Sequence, residues 1–314
     1  MPTPIAFISK SGEEKEAEWL HALSEAMPEE TIRAFSSMSA TEKEQAEVAI
    51  VANPDPQDIA ALPNLKWIHS LWAGVERLVA ELGEKAPPIV RLVDPEMART
   101  MAEAVLAWVY YLQRDMPAYR HNQTEKRWQP LPYRPPSSLC VGLLGLGVLG
   151  KAAAAALLHA GFHVAGWSRS KKTLKGVETY SGTEGLDTML RKSDIVVLLL
   201  PLTHDTHKLI DKTRFATMKK GAALINFARA PIIDSGALLD ALGSGHLSHA
   251  VLDVFTIEPL PESCPFWHDP NITVLPHISA KTTRKSASAV VAKNLADWRK
   301  RGKLPQTVDV QRGY

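Results

Sequence analysis

An arginine, a glutamate and a histidine lie far apart in this chain, at positions 229, 258 and 277, yet each follows a short apolar run. Arg229 comes directly after LINFA, Glu258 sits in the loop TIEPLP after VLDVF, and His277 comes directly after ITVLP. If those runs are parallel strands of one sheet, the three side chains gather at its carboxyl edge, where open α/β sheets bind ligands. A permanent cation, a carboxylate and an imidazole in one place suit hydride transfer to a 2-oxo acid. Hydride arriving at a carbonyl carbon leaves charge on the oxygen, which then needs a proton donor. Imidazolium, with an ordinary pKa of about 6.5, is the usual donor near neutrality. Glu258 beside His277 would favour the charged ring and fix its orientation. The planar fork of Arg229 would grip a substrate carboxylate and polarise the carbonyl. Asp253, at the end of its run, is placed to meet the nicotinamide side of a cofactor. Taken singly, each of these residues has an ordinary reading as a surface or loop residue; their shared address is what marks them as a set.

A hydride donor needs a binding site, and CVGLLGLGVLG (140–150) has the form of one. An apolar strand leads into Gly145, Gly147 and Gly150 in G-x-G-x-x-G spacing, and an Ala-rich helix follows (151–160). In such a fingerprint the first glycine permits the tight turn and the second lets the backbone approach a pyrophosphate. The third lets helix and strand pack closely. The pyrophosphate would sit on the helix N-terminus. A second strand, 162–167, ends where an acid that bonds the ribose 2′-hydroxyl is expected. Ser168 stands there instead, followed by Arg169, Ser170, Lys171 and Lys172. A hydroxyl and a cluster of cations suit a 2′-phosphate, so NADP(H) is the preferred cofactor and NAD(H) remains possible.

The elements that must position these residues are legible as strand and helix signals. In the second half, strands are expected at 140–145, 162–167, 194–200, 222–227, 249–255 and 271–275, with helical or turn segments between them, including 235–242. Runs as continuous as IVVLLL are typical of a parallel sheet covered on both faces, and six such strands make a doubly wound sheet. In the first half, strands are expected at 4–9, 48–51 and 66–70 and helices at 13–27 and 75–82. This half is also α/β but lacks a glycine fingerprint. One long helix is expected over 99–116, with an apolar stripe at Met101, Val105, Leu106, Val109 and Leu112. RWQPLPYRPPSS (127–138) holds four prolines and reads as an extended loop. A last helix, 282–300, has no further strand to feed and is expected to return to the first domain. The expected domains are therefore 1–99 with 286–314, binding substrate as a lid, and 100–285, binding the dinucleotide, with the cleft between them.

Composition narrows the class. A chain of 314 residues with 45% apolar content supports two cores. A net charge of +2, with basic residues dispersed apart from the groups at 169–172 and 299–301, gives no face for nucleic acid. The longest apolar run, 195–200, is far short of a membrane span, and the N-terminus turns acidic before a signal-peptide core could form. Two cysteines, Cys140 and Cys264, make no disulfide framework, which points to a reducing cytoplasm. His204 with His207, and His246 with His249, have i, i+3 spacing but no completing carboxylate or thiolate, so no metal site is expected.

At these residues the sequence resembles the D-isomer-specific 2-hydroxyacid dehydrogenases. The resemblance is carried by GLLGLGVLG (142–150), LLPLTHDT (199–206), INFARAPIID (225–234), LDVFTIEPLP (252–261) and LPHISAKT (275–282). SLWAGVE (70–76) and TMAEAVLAWV (100–109) extend it into the first half. RWQPLP and the tail ending RGY resemble the branch that reduces glyoxylate and hydroxypyruvate. The resemblance implies a Rossmann-type doubly wound sheet plus a smaller, discontinuous, flavodoxin-like α/β substrate domain. It implies Arg229, Glu258 and His277 as catalytic residues, and a substrate carboxylate held by Arg229 and by the backbone at Ala73 and Gly74. It further implies cofactor contacts at Leu149, Pro201, Thr206 and Asp253, and a homodimer. Ser168 replaces the Asp of many members, Val148 a common polar residue, and Ala230 a common Gly. Two rivals stand beside a small 2-oxo acid reductase: an NAD-linked dehydrogenase of another specificity, such as phosphoglycerate or formate dehydrogenase, and a non-enzymatic cofactor-sensing co-repressor.

Overall fold

The computed structural model describes residues 3–314, which divide into two units, residues 3–96 with Thr282–Tyr314 and Met97–Lys281. The boundaries fall at 96/97 and 281/282, three and four residues before the expected 99/100 and 285/286. The first unit runs β1 (Ile5–Ser9), α1 (Glu13–Ala26), β2 (Ile32–Ala34), α2 (Ala40–Gln45), β3 (Val48–Ala52), α3 (Pro56–Ala60), β4 (Trp67–Ser70), α4 (Glu76–Leu82) and β5 (Ile89–Val90). Its strands form one parallel sheet in the order β2-β1-β3-β4-β5, the flavodoxin-like order. The short α2 is held by a capping box, in which Ser39 and Glu42 satisfy each other's backbone N–H groups.

The second unit follows from α5 (Pro95–Gln113) through α6 (Met116–Thr124), β6 (Cys140–Leu144), α7 (Val148–His159), β7 (His163–Trp167) and β8 (Val177–Tyr180). It continues with α8 (Gly182–Lys192), β9 (Ile195–Leu198), α9 (Lys212–Thr217), β10 (Ala222–Asn226), α10 (Ser235–Gly243), β11 (Leu247–Leu252) and β12 (Ile272–Val274). Seven parallel strands lie in the order β12-β11-β10-β9-β6-β7-β8, so the order reverses between β6 and β9. That reversal is the switch point at which doubly wound sheets bind ligands, and the glycine fingerprint leaves β6 there. Apolar clusters cover both faces: Leu144, Val196 and Leu224 belong to one, and Val141, Val197 and Ile225 to the other. The central strands are buried on both sides, which is why they read as unbroken apolar runs.

Three expectations are corrected. The sheet has seven strands rather than six, because the half-exposed edge strand β8 carries no apolar run. The single helix expected over 99–116 is two helices, separated where Asp115 takes a left-handed conformation at φ 52°. The first of them begins earlier, at Pro95, because the Asp94 carboxylate accepts from the Glu96 N–H and starts the turn. The last helix, α11 (Arg284–Arg301), is capped by Thr283 and packs on α1 within the first unit. There Asn294 reaches the buried ring of His69 at 2.9 Å, and Trp298 meets Trp67 edge to face.

Candidate active site

All seven strands of the second unit run the same way, so their carboxyl ends share one edge. Arg229, Glu258 and His277 come off that edge from β10, β11 and β12, which are neighbours in the sheet. His277 Nδ1 lies 2.8 Å from Glu258 Oε2. A carboxylate only accepts, so Nδ1 carries the hydrogen and Nε2 is left to exchange a proton with a substrate. The other Glu258 oxygen accepts from the Phe255 N–H at 2.8 Å, which fixes the carboxylate independently of its histidine. The peptide between Glu258 and Pro259 is cis. His277 itself is left-handed, at φ 53°, a conformation that a non-glycine residue keeps only where its surroundings impose it.

The surroundings that impose it are provided by Asp253. Its carboxylate is 2% exposed and accepts from the N–H groups of Ile278 at 2.8 Å and Ser279 at 2.9 Å. Both oxygens are thereby directed at the loop that carries His277. The sequence places Asp253 at the nicotinamide side of a cofactor; in the structure its carboxylate also clamps the backbone next to the His277 imidazole. Asn226, not singled out from the sequence, does the same for Arg229. It is 1% exposed, its Oδ1 accepts from the Ala228 N–H at 3.0 Å, and its Nδ2 donates to the Arg229 carbonyl at 3.2 Å. Arg229 Nη1 in turn donates to the Ala228 carbonyl at 2.7 Å. The only sequence signal for either brace is a polar residue closing an apolar strand.

The glycine turn has the shape a pyrophosphate needs. Gly145 has φ 108°, and a Cβ there would stand 2.6 Å from the Leu199 carbonyl oxygen. A Cβ on Gly150 would stand 1.8 Å from the Gly145 oxygen, so strand and helix meet at a distance only glycine permits. Gly147 differs: a Cβ would meet nothing within 4 Å. Gly147 is the N-cap of α7 and has no side chain to cap with, so the first-turn N–H groups of Val148, Leu149 and Gly150 receive no side-chain cap. Space beside Gly147 at an uncapped helix start fits an anion, and a dinucleotide's pyrophosphate suits it.

After β7, Ser168 is buried and its hydroxyl donates to the Ser170 carbonyl at 2.8 Å. Its hydrogen is therefore committed to the loop, while Arg169 and Ser170 are exposed beyond it. Lys172 Nζ donates to the Leu146 carbonyl in the fingerprint turn at 3.0 Å. Partial burial, and then the nearby Lys151, draw the Lys172 pKa below the ordinary lysine value. Two cations beside the turn leave positive charge that phosphates would offset. Pro201 and Thr206 form a closed turn: Thr206 Oγ1 donates to the Pro201 carbonyl at 2.7 Å, and Thr203 and Thr206 cap each other. Ala73 and Gly74 lie in the turn between β4 and α4 of the first unit. Among the described residues no group of three His, Cys, Asp or Glu is arranged to hold a metal ion, and no helix is long and apolar enough to cross a membrane. His246 and His249 are turned to separate partners, the Met218 carbonyl and the Thr273 hydroxyl.

Comparisons with known proteins identify the family. Residues 106–279 match the profile of the D-isomer-specific 2-hydroxyacid dehydrogenase NAD-binding domain. A glyoxylate/hydroxypyruvate reductase A of Serratia proteamaculans is 36% identical over 306 residues, covering 95% of this chain and 96% of the relative. A D-isomer-specific 2-hydroxyacid dehydrogenase of Xanthobacter autotrophicus, solved with NADPH, superposes with a TM-score of 0.92 at 38% identity over 99% of each chain. An NADPH-dependent glyoxylate/hydroxypyruvate reductase of Sinorhizobium meliloti, solved with NADP and sulfate, gives 0.90 at 32% identity over 99% of this chain and 100% of that one.

Proposed function

Because this chain belongs to the D-isomer-specific 2-hydroxyacid dehydrogenases, we propose that it uses NADPH to reduce small 2-oxo acids, glyoxylate to glycolate and hydroxypyruvate to D-glycerate. The observation that carries this reading is the 2.8 Å His277–Glu258 pair, set on the same sheet edge as the glycine cradle with Nε2 free. Gly145, Gly147 and Gly150 with the first turn of α7 would hold the pyrophosphate, and the loop from Ser168 to Lys172 the 2′-phosphate. Bound NADPH supplies the hydride. Arg229 orients the substrate through its carboxylate, aided by the backbone at Ala73 and Gly74. Imidazolium at His277 gives its Nε2 proton to the carbonyl oxygen as charge develops there, and Glu258 stabilises the ring while it is charged. The resemblance also supports a homodimer, and cysteine usage a cytoplasmic setting.

Initial rates with glyoxylate, hydroxypyruvate, pyruvate and a bulky 2-oxo acid, each with NADPH and NADH, test the reading. Wild type should favour NADPH and the smaller acids, and Ser168→Asp should move the preference toward NADH. His277→Gln should lower kcat by about 100-fold or more, the usual share of a general acid. Near-normal turnover in that variant would remove His277 from the mechanism. Absence of turnover across the panel would return the chain to a cofactor-sensing role.

A further inference from the structure

Glu258 and His277 are both exposed, and an ion pair open to water contributes too little to hold two side chains in one geometry. Their 2.8 Å spacing must therefore be imposed by the loop that joins β11 to β12. Glu258 Oε1 accepts from the Phe255 N–H, so the carboxylate is placed only as well as that backbone is. Phe255 lies three residues past the end of β11, outside the strand ladder. Its anchor is its ring, which is half-buried against the apolar cluster containing Leu252 and Ile272. The ring of Phe266 meets it there, with centroids 6.3 Å apart and planes inclined at 48°. Phe266 stands in a single 3₁₀ turn, Pro265–Trp267, that packs on β12, the strand leading to His277. The Pro261 carbonyl accepts from the Cys264 N–H at 2.9 Å and from Trp267 Nε1 at 3.0 Å, which joins the stretch after Glu258 to that turn.

Aromatic pairs prefer defined tilts and separations, so such a contact fixes direction as well as distance. Here one ring belongs to the limb that holds the carboxylate and the other to the limb that leads to the imidazole. We propose that Phe266 is a positioning residue for proton transfer: its ring holds the Phe255 backbone where Glu258 can accept from His277 Nδ1, which leaves Nε2 to give its proton to the carbonyl oxygen. This rests on the reductase reading above. Phe266 acts through Phe255 and Glu258 and supplies no reacting group. After the proton leaves Nε2, the remaining ring hydrogen stays on Nδ1 because Glu258 accepts it there. A carboxylate that drifts from Nδ1 removes that preference, and the neutral ring then divides its hydrogen between the two nitrogens. The tautomer of His277 therefore reports on the pair without any turnover.

The test is nitrogen NMR of the full chain carrying isotope-labelled histidine, with and without NADP+, at a pH that keeps the ring neutral. Loss of signals in His277→Gln assigns those of His277. Wild type should show the Nδ1–H form almost alone. Phe266→Ala should bring in the Nε2–H form and lower kcat for glyoxylate about tenfold or more, while KM and the Kd for NADPH change less than about threefold. Phe266→Leu keeps apolar bulk without a flat ring and should fall between the two; it carries the same readouts if the alanine variant does not fold. An unchanged tautomer or an unchanged kcat, whatever happens to Tm, would make Phe266 merely structural and overturn the assignment. So would a wild-type ring that is already a mixture of the two forms. If wild type reduces no 2-oxo acid, the reductase reading falls and the proton-transfer role falls with it. If wild type reduces glyoxylate and the variants leave both readouts in place, only Phe266 falls.

Discussion

Replacing Asp253 by asparagine separates two accounts of one carboxylate. Asparagine keeps the shape but offers a single acceptor oxygen. One of the N–H groups of Ile278 and Ser279, now at 2.8 and 2.9 Å from carboxylate oxygens, would then face an NH2 group. A hydrogen bond to a charged group contributes roughly 1.5–3 kcal/mol, and the site is 2% exposed, so water cannot replace what is lost. A loss of about 2 kcal/mol follows, equivalent to roughly 4–8 °C in Tm for a unit of this size. The effect on rate should be larger. The left-handed backbone of His277 adjoins the clamped amides, and a misplacement of about 1 Å in a catalytic group costs on the order of 100-fold. Asp253→Asn should therefore depress kcat by that order while the Kd for NADPH, from fluorescence titration, changes less than about threefold. If the carboxylate acts mainly on the nicotinamide, the pattern reverses, with weakened NADPH binding and kcat at saturation near wild type. That reversal would refute the clamp.

Other outcomes follow from the same geometry. Gly147→Ala and Gly150→Ala should part company. The first adds a Cβ with nothing within 4 Å at an unstrained φ of −77°, so stability should stay within about 0.5 kcal/mol while NADPH binding weakens. The second drives a Cβ to 1.8 Å from a backbone oxygen and should destabilise by about 3 kcal/mol or more in urea unfolding; equal stability in the two variants would contradict the close approach. Acid should also weaken the fold. Burial lowers the pKa of both His69 and His249 to about 4, below the unfolded value of about 6.5. Between those values the unfolded chain binds more protons than the native one. Stability is therefore fully present above about pH 6.5, falls as pH drops toward 4, and loses about 2 kcal/mol per histidine by pH 5. Urea midpoints at pH 7 and pH 5 check the slope, and His69→Phe should remove part of it; midpoints that do not move would count against both buried neutral rings.

How much of this was legible depended on burial. The strands of the cofactor sheet that are covered on both faces, Ile195–Leu198 and Ala222–Asn226 among them, announce themselves as apolar runs. The edge strands do not. Ile32–Ala34 and Ile89–Val90 are three and two residues long, and Val177–Tyr180 is half-exposed with the sequence VETY. Their pairing is decided by the neighbouring strand rather than by their own side chains. The break between α5 and α6 was hidden for a similar reason, since an apolar stripe says nothing about Asp115 turning left-handed. At the site, the sequence could locate Arg229, Glu258 and His277 at strand ends because strand ends are local. Asp253 was located too, but its partners lie 25 and 26 residues ahead, and no periodicity links a carboxylate to particular backbone N–H groups so far away. Ser168 shows the same limit: residue type suggests a phosphate contact but not the bond its hydroxyl makes to the Ser170 carbonyl within the loop.

Those long-range bonds explain how the Glu258–His277 pair is held at its spacing. Glu258 is fixed through the Phe255 N–H, and the His277 loop through Asp253, so both anchors lie within three residues of the end of β11. The strand supplying His277, β12, is three residues long at the sheet edge and would be a poor support by itself. Its end is tied in as well, with the Leu275 N–H donating to the Leu252 carbonyl at 2.9 Å. Next to it, the Asp253 N–H donates to the Asn226 carbonyl at 3.1 Å, and Asn226 is the residue that braces Arg229. One buried strand end and its neighbour therefore brace Arg229, Glu258 and His277. A motion that shifts β12 alone leaves the Glu258–His277 distance intact, whereas one altered side chain at Asp253 disturbs it directly.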